Sequence, residues 1–505
     1  ICPTSMADHL MDERKEKRQA LIDAGVNPYP YTYDKTDDST DILERFKDLE
    51  AGGKASTKVS VAGRIMTLRK MGKATFLHVQ DELGQLQVYL REQDVGKELY
   101  SQVKQFDIGD FLGAKGTIFK TKKGEVTVYA DEFTLLCKSM RPLPEKFHGL
   151  KDKEKRFRKR HLDLIMNKER RDLFRKRSII LRTTREILDE KGFMEVETPL
   201  LQTQYGGASA KPFKTHINAW DMELFLSISP ELYLKRLIIG GYEKVFTICK
   251  NFRNEGVDHS HNPEFTMLEL YQSYVDYDEM MKLVEEVYER VALKVNGTTK
   301  VTHTKDGETY EIDFKAPWQR LTAREAIKQY VDIDIEECSV EQLKEFCDKN
   351  KVDYGADPTW GELVIEIFDE LVEDKIIQPT HVIDRPKEQT PLCKRHRKDQ
   401  RYNEQCEPVA LGMELANMYS ELNDPTMQRE MFEEQAEKGR GGDEEAHPMD
   451  EDFVEALETG MPPTGGIGWG IDRMAILLLG CEGIRDVILF PTMKPKRNDP
   501  EHEDQ

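Results

Sequence analysis

The sequence predicts a multidomain α+β protein with an all-β segment near its N-terminus and a larger mixed domain after it. Short strand-like runs separated by turns occupy residues 59–136, whereas helical and strand-like patterns alternate beyond residue 167. The chain has 505 residues, of which 38% are hydrophobic and 33% charged, so two or three domains with proper cores are expected.

Changes in pattern along the chain predict four segments. They are a helical leader (1–56), a five-stranded barrel (57–145), a basic linker (146–166) and a large α+β domain (167–505) with a helical insertion at about 291–400. The leader holds a charged helix over Asp8–Ala24 and a second polar helical stretch over Asp34–Ala55. In the linker, Lys151–Arg160 contains seven basic residues and two acidic ones. It is either a solvated linker or helix face, or a hinge that contacts phosphate.

The barrel is predicted from five β-rich runs with a helix-like insert, Val95–Phe106, between the third and the fourth. The runs are Val59–Thr67, Ala74–Gln80, Gly84–Arg91, Phe111–Lys120 and Glu125–Leu136. This order of elements is that of an OB-fold, a barrel that binds single-stranded nucleic acid on one face.

The large domain combines a long helix, a hairpin and a glycine-rich strand. The predicted elements are a helix over Asn167–Lys191, a strand from Gly192 to Pro199, hairpin strands Glu243–Phe252 and Glu264–Tyr271, helices Asp276–Arg290, Thr322–Tyr330, Val340–Asn350 and Gly361–Leu371, and a glycine strand from Gly465 that leads into Met474–Leu479. The glycine strand is neither a dinucleotide fingerprint nor a P-loop, since no G-K-[ST] occurs in the chain.

Composition excludes several classes of protein. No run of 18 apolar residues exists, so we expect no membrane association. Eight cysteines without a C-x-x-C pair fit neither a zinc site nor a disulfide scaffold, and they favour reduced thiols in a cytoplasmic protein. The net charge of −20 argues weakly against nucleic-acid binding by the whole surface, but it allows a local basic track.

The hairpin carries the most specific string in the chain, KNFRNEGVDHSHNPEFTMLELY over 250–271. The rigid fork of Arg253 suits a phosphate better than the point charge of a lysine would. Phe265 could present an aromatic face to a base. The string resembles motif 2 of the class II aminoacyl-tRNA synthetases, and specifically that of the lysyl enzymes.

Other stretches extend this resemblance from about Asp8 to Pro495. The helix, glycine and strand that end at Pro199 resemble motif 1, which forms the dimer interface in the family. The glycine strand and Arg473 resemble motif 3, and the barrel resembles the anticodon-binding domain of lysyl enzymes. The resemblance implies a catalytic domain with an antiparallel sheet flanked by helices, and a homodimer.

The resemblance implies an ATP site, with Arg253 and Arg473 as the catalytic residues. Arg253 would bridge the α-phosphate and the substrate carboxylate, and Phe265 and Arg473 would enclose the adenine. Residues implied to contact ATP are Arg253, Asn254, Glu255, His261, Asn262, Phe265, Glu414, Leu415 (through its backbone), Gly470, Ile471, Asp472 and Arg473. Glu407 and Glu414 would hold Mg²⁺, which prefers few carboxylates together with phosphate oxygens.

The amino-acid pocket matches the family at eight positions: Gly207, Glu231, Arg253, Glu269, Tyr271, Asn417, Tyr419 and Glu421. Strand alternation puts Asn417, Tyr419 and Glu421 on one face. Three carboxylates would repel an aspartate side chain and welcome a second ammonium, as in lysine. By resemblance, Glu231 takes the α-amino group, and Asn417 helps with the carboxylate. Glu269, Tyr271 and Glu421 would surround the ε-ammonium. Outside this resemblance, Glu231 merely complements a helix dipole.

The barrel residues implied to bind the anticodon are Arg64, Arg69, Phe76, Gln87 and Glu125. Phe76 would stack on a base, and the others would contact base edges or phosphates. The alternatives are that Phe76 is a core residue of its strand and that the Gln87 amide faces solvent.

Together these features predict a homodimeric, cytoplasmic ligase that uses ATP and Mg²⁺ to join L-lysine to tRNA(Lys). An aspartyl or asparaginyl synthetase shares the same layout, but the acidic pair Glu269 and Glu421 argues against it. A catalytically inactive relative that binds RNA is the other alternative, and intact Arg253, Glu407 and Arg473 argue against that.

Overall fold

The computed structural model describes residues 6–144, 150–441 and 447–495 and divides the chain into two compact units, 1–149 and 150–505. Residues 1–5 of the predicted leader and 146–149 of the predicted linker lie outside the described residues. Within the described ranges, no helix is both long and apolar enough to cross a bilayer.

The first unit is a closed five-stranded barrel preceded by two helices. Its elements are α1 (Met6–Asp23), α2 (Ser39–Arg45), β1 (Lys54–Met71), β2 (Ala74–Gln80), β3 (Gln85–Arg91), α3 (Glu92–Val95), α4 (Lys97–Ser101), β4 (Phe111–Lys120) and β5 (Val126–Cys137). The strands close in the order β1-β2-β3-β5-β4, with β3 and β5 parallel and the other pairs antiparallel. The predicted OB-fold, with its helical insert after the third strand, is confirmed.

The helical leader belongs to this unit and is not a separate segment. Leu21 of α1 and Ile42 of α2 are buried in the core of the barrel. The second helix is much shorter than predicted: turns follow it before β1 begins at Lys54, and the residues before it run extended along β1. The N–H groups of Thr36 and Asp37 both donate to the carbonyl of Ser60. Those N–H groups are therefore satisfied by β1 instead of by a helical turn.

The second unit is built on one large, mostly antiparallel sheet with helices packed against it. Its helices are α5 (Lys153–Arg158), α6 (Arg160–Met166), α7 (Lys168–Glu190), α8 (Glu231–Ile239), α9 (Tyr277–Asn296), α10 (Ala323–Val331), α11 (Val340–Asn350), α12 (Trp360–Leu371), α13 (Pro425–Arg440), α14 (Glu451–Glu458), α15 (Ile471–Leu479) and α16 (Ile484–Val487). Its strands are β6 (Met194–Glu195), β7 (Leu201–Gln202), β8 (Lys214–Ile217), β9 (Met222–Leu226), β10 (Lys244–Phe252), β11 (Glu264–Ser273), β12 (Lys300–Lys305), β13 (Glu308–Asp313), β14 (Gln319–Thr322), β15 (Thr380–Ile383), β16 (Gln405–Ala410), β17 (Met413–Glu414), β18 (Ala416–Ser420) and β19 (Thr464–Gly470).

The large sheet runs in the order β14-β15-β16-β18-β19-β11-β10-β6, and only its two outermost pairs are parallel. One of its faces is covered by α7, α9 and α15, whose apolar side chains share one core with the inward residues of the strands. Ile467 and Trp469 of β19 are buried in this core. Because strand side chains alternate, the glycines between them face the opposite side of the sheet, where the candidate site lies.

The predicted helical insertion forms a compact subdomain with its own core around Leu343, Ile367 and Phe368. Its three helices, α10 to α12, begin within two residues of their predicted starts. Each start is marked by a capping box, in which a Ser or Thr side chain and a Glu or Gln three residues later bond each other's backbone.

The described part of the basic linker is folded into the second unit. Arg160 is 1% exposed, and its guanidinium lies 2.6 Å from a carboxylate oxygen of Asp163. Arg156 contacts the same carboxylate at 3.1 Å. Neither arginine is a solvated linker residue or is free to contact phosphate, since a buried guanidinium must keep its counterion.

Candidate active site

One cavity of about 340 Å³ on the open face of the large sheet brings together residues from several separate parts of the chain. The predicted residues that line it are Gly207, Glu231, Arg253, Glu255, His261, Asn262, Phe265, Glu269, Tyr271, Glu407, Glu414, Leu415, Asn417, Tyr419, Glu421, Gly470, Asp472 and Arg473. Asn254 and Ile471 do not line it. Asn254 is exposed, and Ile471 is buried in the core on the other face of the sheet.

The floor of the cavity is the glycine strand β19, and strand register explains its composition. Gly468 pairs with Glu269 of β11 on one side and with Asn417 of β18 on the other. Gly466 pairs in the same way with Tyr271 and Tyr419. Polar side chains from both neighbouring strands therefore converge over a stretch of β19, from Gly466 to Gly470, that has only glycines on this face.

Two glycines are required by close contacts at this site. A Cβ atom on Gly466 would lie 2.0 Å from Oε1 of Glu421 and 2.5 Å from the ring of Tyr271. Gly207 has a φ of +84°, and a Cβ there would lie 2.9 Å from the Cβ of Glu231. The space above β19 at Gly466 is therefore taken by the protein's own Glu421 and Tyr271.

At one end of the cavity, Arg253 has hydrogen-bond donors that the described residues do not fully use. Its guanidinium carbon lies 5.2 Å from the centre of the Phe265 ring, and its side chain donates one long hydrogen bond, 3.5 Å, to the carbonyl of Ile228. Its buried Nε has no hydrogen-bond partner among the described residues. Burial lowers the pKa of Arg253, so the site gains from an anion placed against it.

Arg473 faces the same end from the first turn of α15. It donates to the carbonyl of Glu414 at 2.7 Å and to the Glu414 carboxylate at 3.1 Å. A second guanidinium nitrogen lies 3.3 Å from Nε2 of His261, in the loop of the hairpin. Asp258 in turn holds His261, with Oδ2 2.9 Å from Nδ1. The hairpin loop and the motif-3 helix are thus joined across the cavity.

Three other predicted ATP residues have structural contacts. Asp472 accepts from the Thr266 N–H at 2.7 Å and lies 2.5 Å from Arg177 of α7. The Leu415 N–H donates to Pro408, and its carbonyl accepts from Gly470. Asn262 donates to the carbonyl of Glu264 and keeps a buried Oδ1 without a partner in the described ranges. This Oδ1 leaves Asn262 as the best placed of the three to meet a ligand.

At the other end of the cavity, the Glu269 carboxylate is buried and surrounded by hydroxyl donors. Tyr271 donates to its Oε1 at 2.8 Å, and Ser229 donates to its Oε2 at 3.1 Å. Burial and the charges of Glu231 and Glu421 raise the pKa of Glu269 to about 8. Such a carboxyl group holds its proton at neutral pH until a cation arrives.

Glu231 and Glu421 both form ion pairs with a lysine that was not among the predicted site residues. The ammonium of Lys235 lies 2.6 Å from Oε1 of Glu231 and 2.5 Å from Oε2 of Glu421. All three side chains are buried. Oε1 of Glu421 has no hydrogen-bond partner among the described residues. Burial raises the pKa of Glu421 to about 8 although Lys235 lowers it. Lys235 follows Glu231 by four residues on α8, a helical ion-pair spacing that could have revealed it.

The two predicted metal ligands, Glu407 and Glu414, would suit a magnesium ion that is bound mainly by the phosphates of a nucleotide. Both line the cavity, but Glu407 already accepts from Gln405 and Asn417, and its Oε2 lies 3.1 Å from Nε of the buried Arg385. No group of three or more His, Cys, Asp or Glu side chains in the described ranges could hold a metal alone. Magnesium bound mainly by phosphates and water needs only one or two carboxylates, which this donor set offers.

The barrel carries a separate candidate nucleic-acid face. Phe76 is half-buried on β2 and stacks against Tyr89 of β3, with ring centres 4.4 Å apart, and Tyr129 lies 5.4 Å beyond. Arg69 pairs with Phe76 across β1 and β2 and is exposed. Phe76 is therefore on the outer face of the barrel and is not the core residue that the alternative required.

The other predicted barrel residues divide into two groups. Gln87 donates to Glu125 at 2.6 Å, and His78 contacts the same carboxylate at 2.7 Å, so these residues form one polar cluster beside Phe76. Gln87 is buried and does not face solvent. Arg64 lies elsewhere. It pairs with Gln80, at the other end of β2 from Phe76, covers the ring of Phe111 at 4.2 Å and donates to the carbonyl of Gly109.

Comparison with known proteins agrees with this geometry. The family model described as tRNA synthetases class II (D, K and N) matches residues 152–494, and the one described as OB-fold nucleic acid binding domain matches residues 59–136. With its sheet, its three motifs and its cavity, the chain belongs to the class II tRNA synthetases.

Curated relatives narrow this class. Lysine–tRNA ligase of Pelotomaculum thermopropionicum is 50% identical over 492 residues, which cover 97% of this chain and 96% of that protein. The enzymes of the same name from Clostridium novyi and Thermosipho africanus are 48% and 47% identical, and each match covers at least 95% of both chains. The chain belongs to the lysine–tRNA ligase family.

Proposed function

We propose that this chain activates L-lysine with ATP to lysyl-adenylate and transfers the lysyl group to the 3′ end of tRNA(Lys). The observation that carries the proposal is the meeting, in one cavity, of a cationic end with Arg253 and Arg473 and an acidic end with Glu231, Glu269 and Glu421. The first suits the phosphates of a nucleotide, and the second suits a guest with two ammonium groups.

Arg253 is the residue we assign to the reacting atoms. In the first step a carboxylate oxygen of lysine attacks the α-phosphorus of ATP, the bond to the bridging oxygen breaks, and pyrophosphate leaves. The carboxylate is already ionised, so no protein base is needed, and positioning with charge stabilisation carries the step. The unused donors of Arg253 can hold the α-phosphate and the attacking carboxylate together.

The rest of the cationic end holds the nucleotide. Phe265 of β11 and Arg473 of α15 both line the cavity and would enclose the adenine between them. Glu255, His261 and Asn262 would contact ATP from the hairpin. The weaker candidates, which lie outside the lining or already have backbone partners, are Asn254, Leu415 and Ile471. Glu407 and Glu414 would hold Mg²⁺, which neutralises charge on the phosphates.

Lysine would lie at the acidic end. Glu231 takes the α-amino group, Asn417 contacts the carboxylate, and Gly207 lets the backbone approach the substrate. Glu269, Tyr271, Tyr419 and Oε1 of Glu421, which has no hydrogen-bond partner among the described residues, would surround the ε-ammonium. An aspartate or asparagine side chain would leave these buried carboxylates without a cation, which makes the corresponding synthetase activities the poorer fit.

The tRNA and a second copy of the chain are the expected macromolecular partners. Phe76, Arg69, Gln87 and Glu125 would bind the anticodon on the barrel. For a homodimer, the support is the exposure of Met194, Leu200 and Leu201 around the strand after α7, with Leu201 54% exposed. Sedimentation of the purified chain tests the dimer. We further propose that the enzyme works in the cytoplasm.

Pyrophosphate exchange measured with each of the twenty amino acids tests the activity. We expect exchange that depends on lysine and on Mg²⁺, followed by charging of tRNA(Lys). Stimulation by aspartate or asparagine instead of lysine would refute the substrate, and no exchange with any amino acid would favour an inactive relative.

A further inference from the structure

Lys235 is a buried cation that does not line the cavity but touches two residues that do. Its side chain is 0% exposed and lies between Glu231, on its own helix, and Glu421, just beyond β18. Glu231 and Glu421 are the groups assigned to opposite ends of the lysine substrate. One internal ammonium therefore contacts both carboxylates from behind.

We propose that Lys235 is a positioning residue that sets the charge of the lysine pocket, so that the pocket with all its carboxylates ionised is neutral only when it holds a ligand with two ammonium groups. The inference rests on the proposed function. Lys235 does not contact the substrate, and it acts through Glu231 and Glu421.

When the carboxylates at the acidic end of the cavity are ionised, their charges balance only with two ammonium groups of a ligand. These carboxylates are those of Glu231, Glu269 and Glu421, and Lys235 neutralises one of them. The α- and ε-ammonium groups of lysine neutralise the other two, while the substrate carboxylate is left to Arg253. A guest with a single ammonium leaves one buried carboxylate unpaired, and that carboxylate must take up a proton.

Lys394 also lowers the pKa of Glu421, whereas the uncharged groups around Lys235 do not change this balance. Tyr271 of β11 presents its ring 5.8 Å from the ammonium, and Cys393 lies near it as a buried thiol whose pKa is raised well above its usual value. His447 lines the cavity, and burial lowers its pKa to about 4, with the charge of Lys235 acting in the same direction. Tyrosine, thiol and imidazole are thus all neutral at physiological pH.

Removing the lysine should raise the requirement for protons. In Lys235→Met, Glu231 and Glu421 face each other without a cation, so the free pocket binds one more proton than the wild type. Because lysine brings only two ammonium groups, the occupied pocket keeps one proton, and the two protons that lysine displaces come from carboxyl groups of higher pKa than in the wild type. The KM for lysine in pyrophosphate exchange should rise by about tenfold for each unit by which the new pKa exceeds the assay pH. The fall of this KM with pH should move to a higher pH range, and the KM for ATP should change little.

The sharpest test is a double-mutant cycle with Glu421→Gln. The single Glu421→Gln variant leaves Lys235 without one of its carboxylates, so that a dicationic guest enters a pocket with one positive charge too many. Adding Lys235→Met restores the balance. We expect Lys235→Met to raise the lysine KM in the wild-type background and to lower it by about threefold or more in the Glu421→Gln background. Replacing both partners of a buried pair also avoids an uncompensated charge, so the double variant should fold even where Lys235→Met does not.

Lys138 provides a matched control. It is equally buried, lies 2.6 Å from Asp107 and 2.8 Å from Asp110, and belongs to the barrel unit, outside the cavity lining. Lys138→Met should lower the melting temperature and leave the lysine KM and its pH dependence unchanged. Lys235→Arg keeps the charge, so its pH dependence should resemble that of the wild type even where its KM rises.

The outcomes separate this inference from the proposed function. Wild-type exchange that does not depend on lysine would remove the function itself. If the wild type is active but Lys235→Met fails to lower the lysine KM of Glu421→Gln, the inference is wrong. A fall in melting temperature for Lys235→Met with the wild-type KM and pH dependence would likewise show that Lys235 serves only the fold.

Discussion

The two ends of the cavity hold their charges in opposite ways. At the nucleotide end, Arg473 and Glu414 are 23% and 36% exposed, and Arg253 keeps a donor without a partner among the described residues. At the amino-acid end, Glu231, Glu269 and Glu421 are 5%, 2% and 1% exposed, and hydroxyl groups or Lys235 contact each of them. The nucleotide end can accept an anion, whereas the buried carboxyl groups of the amino-acid end are protonated and must lose protons when the amino acid binds.

This difference indicates where binding and where specificity should reside. Phosphates carry enough charge to be held by two guanidinium groups and a metal ion in a partly open site. A single ammonium group can be bound less strongly than several phosphates. To discriminate it from a methyl group, the site needs buried partners that are costly to leave unpaired. Changes at the two ends should therefore alter different kinetic constants.

The largest effect should come from the nucleotide end. Arg253→Ala removes the group that spans both reacting partners, and we expect the kcat of pyrophosphate exchange to fall by about 10³-fold, as for loss of one donor to a developing charge. The melting temperature should stay near the wild-type value, because Arg253 makes only one long hydrogen bond within the described residues. Arg253→Lys, which keeps the charge but loses the fork, is the control. Unchanged exchange in Arg253→Ala would show that Arg253 does not contact the reacting atoms.

At the amino-acid end, Glu269→Gln keeps the shape and removes the charge. We expect the lysine KM to rise by about 100-fold, the effect of losing about 2–3 kcal/mol of a buried charge pair, while the ATP KM stays within a few fold. Equal changes in both constants would contradict the division of the cavity into two ends. Glu264→Gln, in the same strand but outside the cavity lining, should behave like the wild type.

Because Glu269 and Glu421 are protonated in the free pocket, a rise in pH should strengthen lysine binding and lower the stability of the ligand-free protein. The pKa of Glu269 and of Glu421 is about 8 in the free protein, so the lysine KM should fall as pH rises from about 6 to 8, by up to about tenfold per unit for each proton released. The unfolded carboxyl has a pKa near its ordinary 4.5, so between these values the folded state binds more protons. The free energy of unfolding of the ligand-free protein should therefore decrease as pH rises through this window.

Exchange kinetics and thermal melts at about pH 6, 7 and 8, with and without lysine, measure both trends. Added lysine should stabilise the protein more at the upper end of this range than at the lower end. A lysine KM that does not vary over this range would mean that the carboxylates are already ionised in the free pocket.

The smallest effect should come from the barrel, and it should spare both ends of the cavity. Phe76→Ala removes one stacking ring, worth about 1–3 kcal/mol per base, so the KM for tRNA(Lys) should rise by about tenfold to 100-fold. Pyrophosphate exchange, which needs no tRNA, should not change. Phe119→Ala, at the far side of the same aromatic cluster, is a matched comparison and should raise the KM for tRNA less.

Much of this protein was predictable from local patterns. The five barrel strands, the hairpin strands and the insertion helices agree with prediction to within a few residues at most boundaries, because strand alternation, turn residues and capping boxes are encoded by near neighbours. The alternation of Asn417 and Tyr419 correctly put both on the cavity face. The second leader helix was predicted too long, since the residues before α2 are held extended by hydrogen bonds to the carbonyl of Ser60, which is distant in the chain, and β1 begins already at Lys54.

Contiguous motifs were enough to identify the family, the OB-fold barrel and many of the residues that line the cavity, because each motif is a short string whose residues stay together in the fold. How the charges are shared, in contrast, became visible only once the chain was folded. The fold brought Glu421 against Lys235, which Glu231 already contacts one helical turn away, and it paired Arg385 with Glu407. It also put Arg64 against the carbonyl of Gly109. A buried charge is governed by whichever opposite charge lies within a few ångströms, and the sequence does not reveal that neighbour when it is far away in the chain.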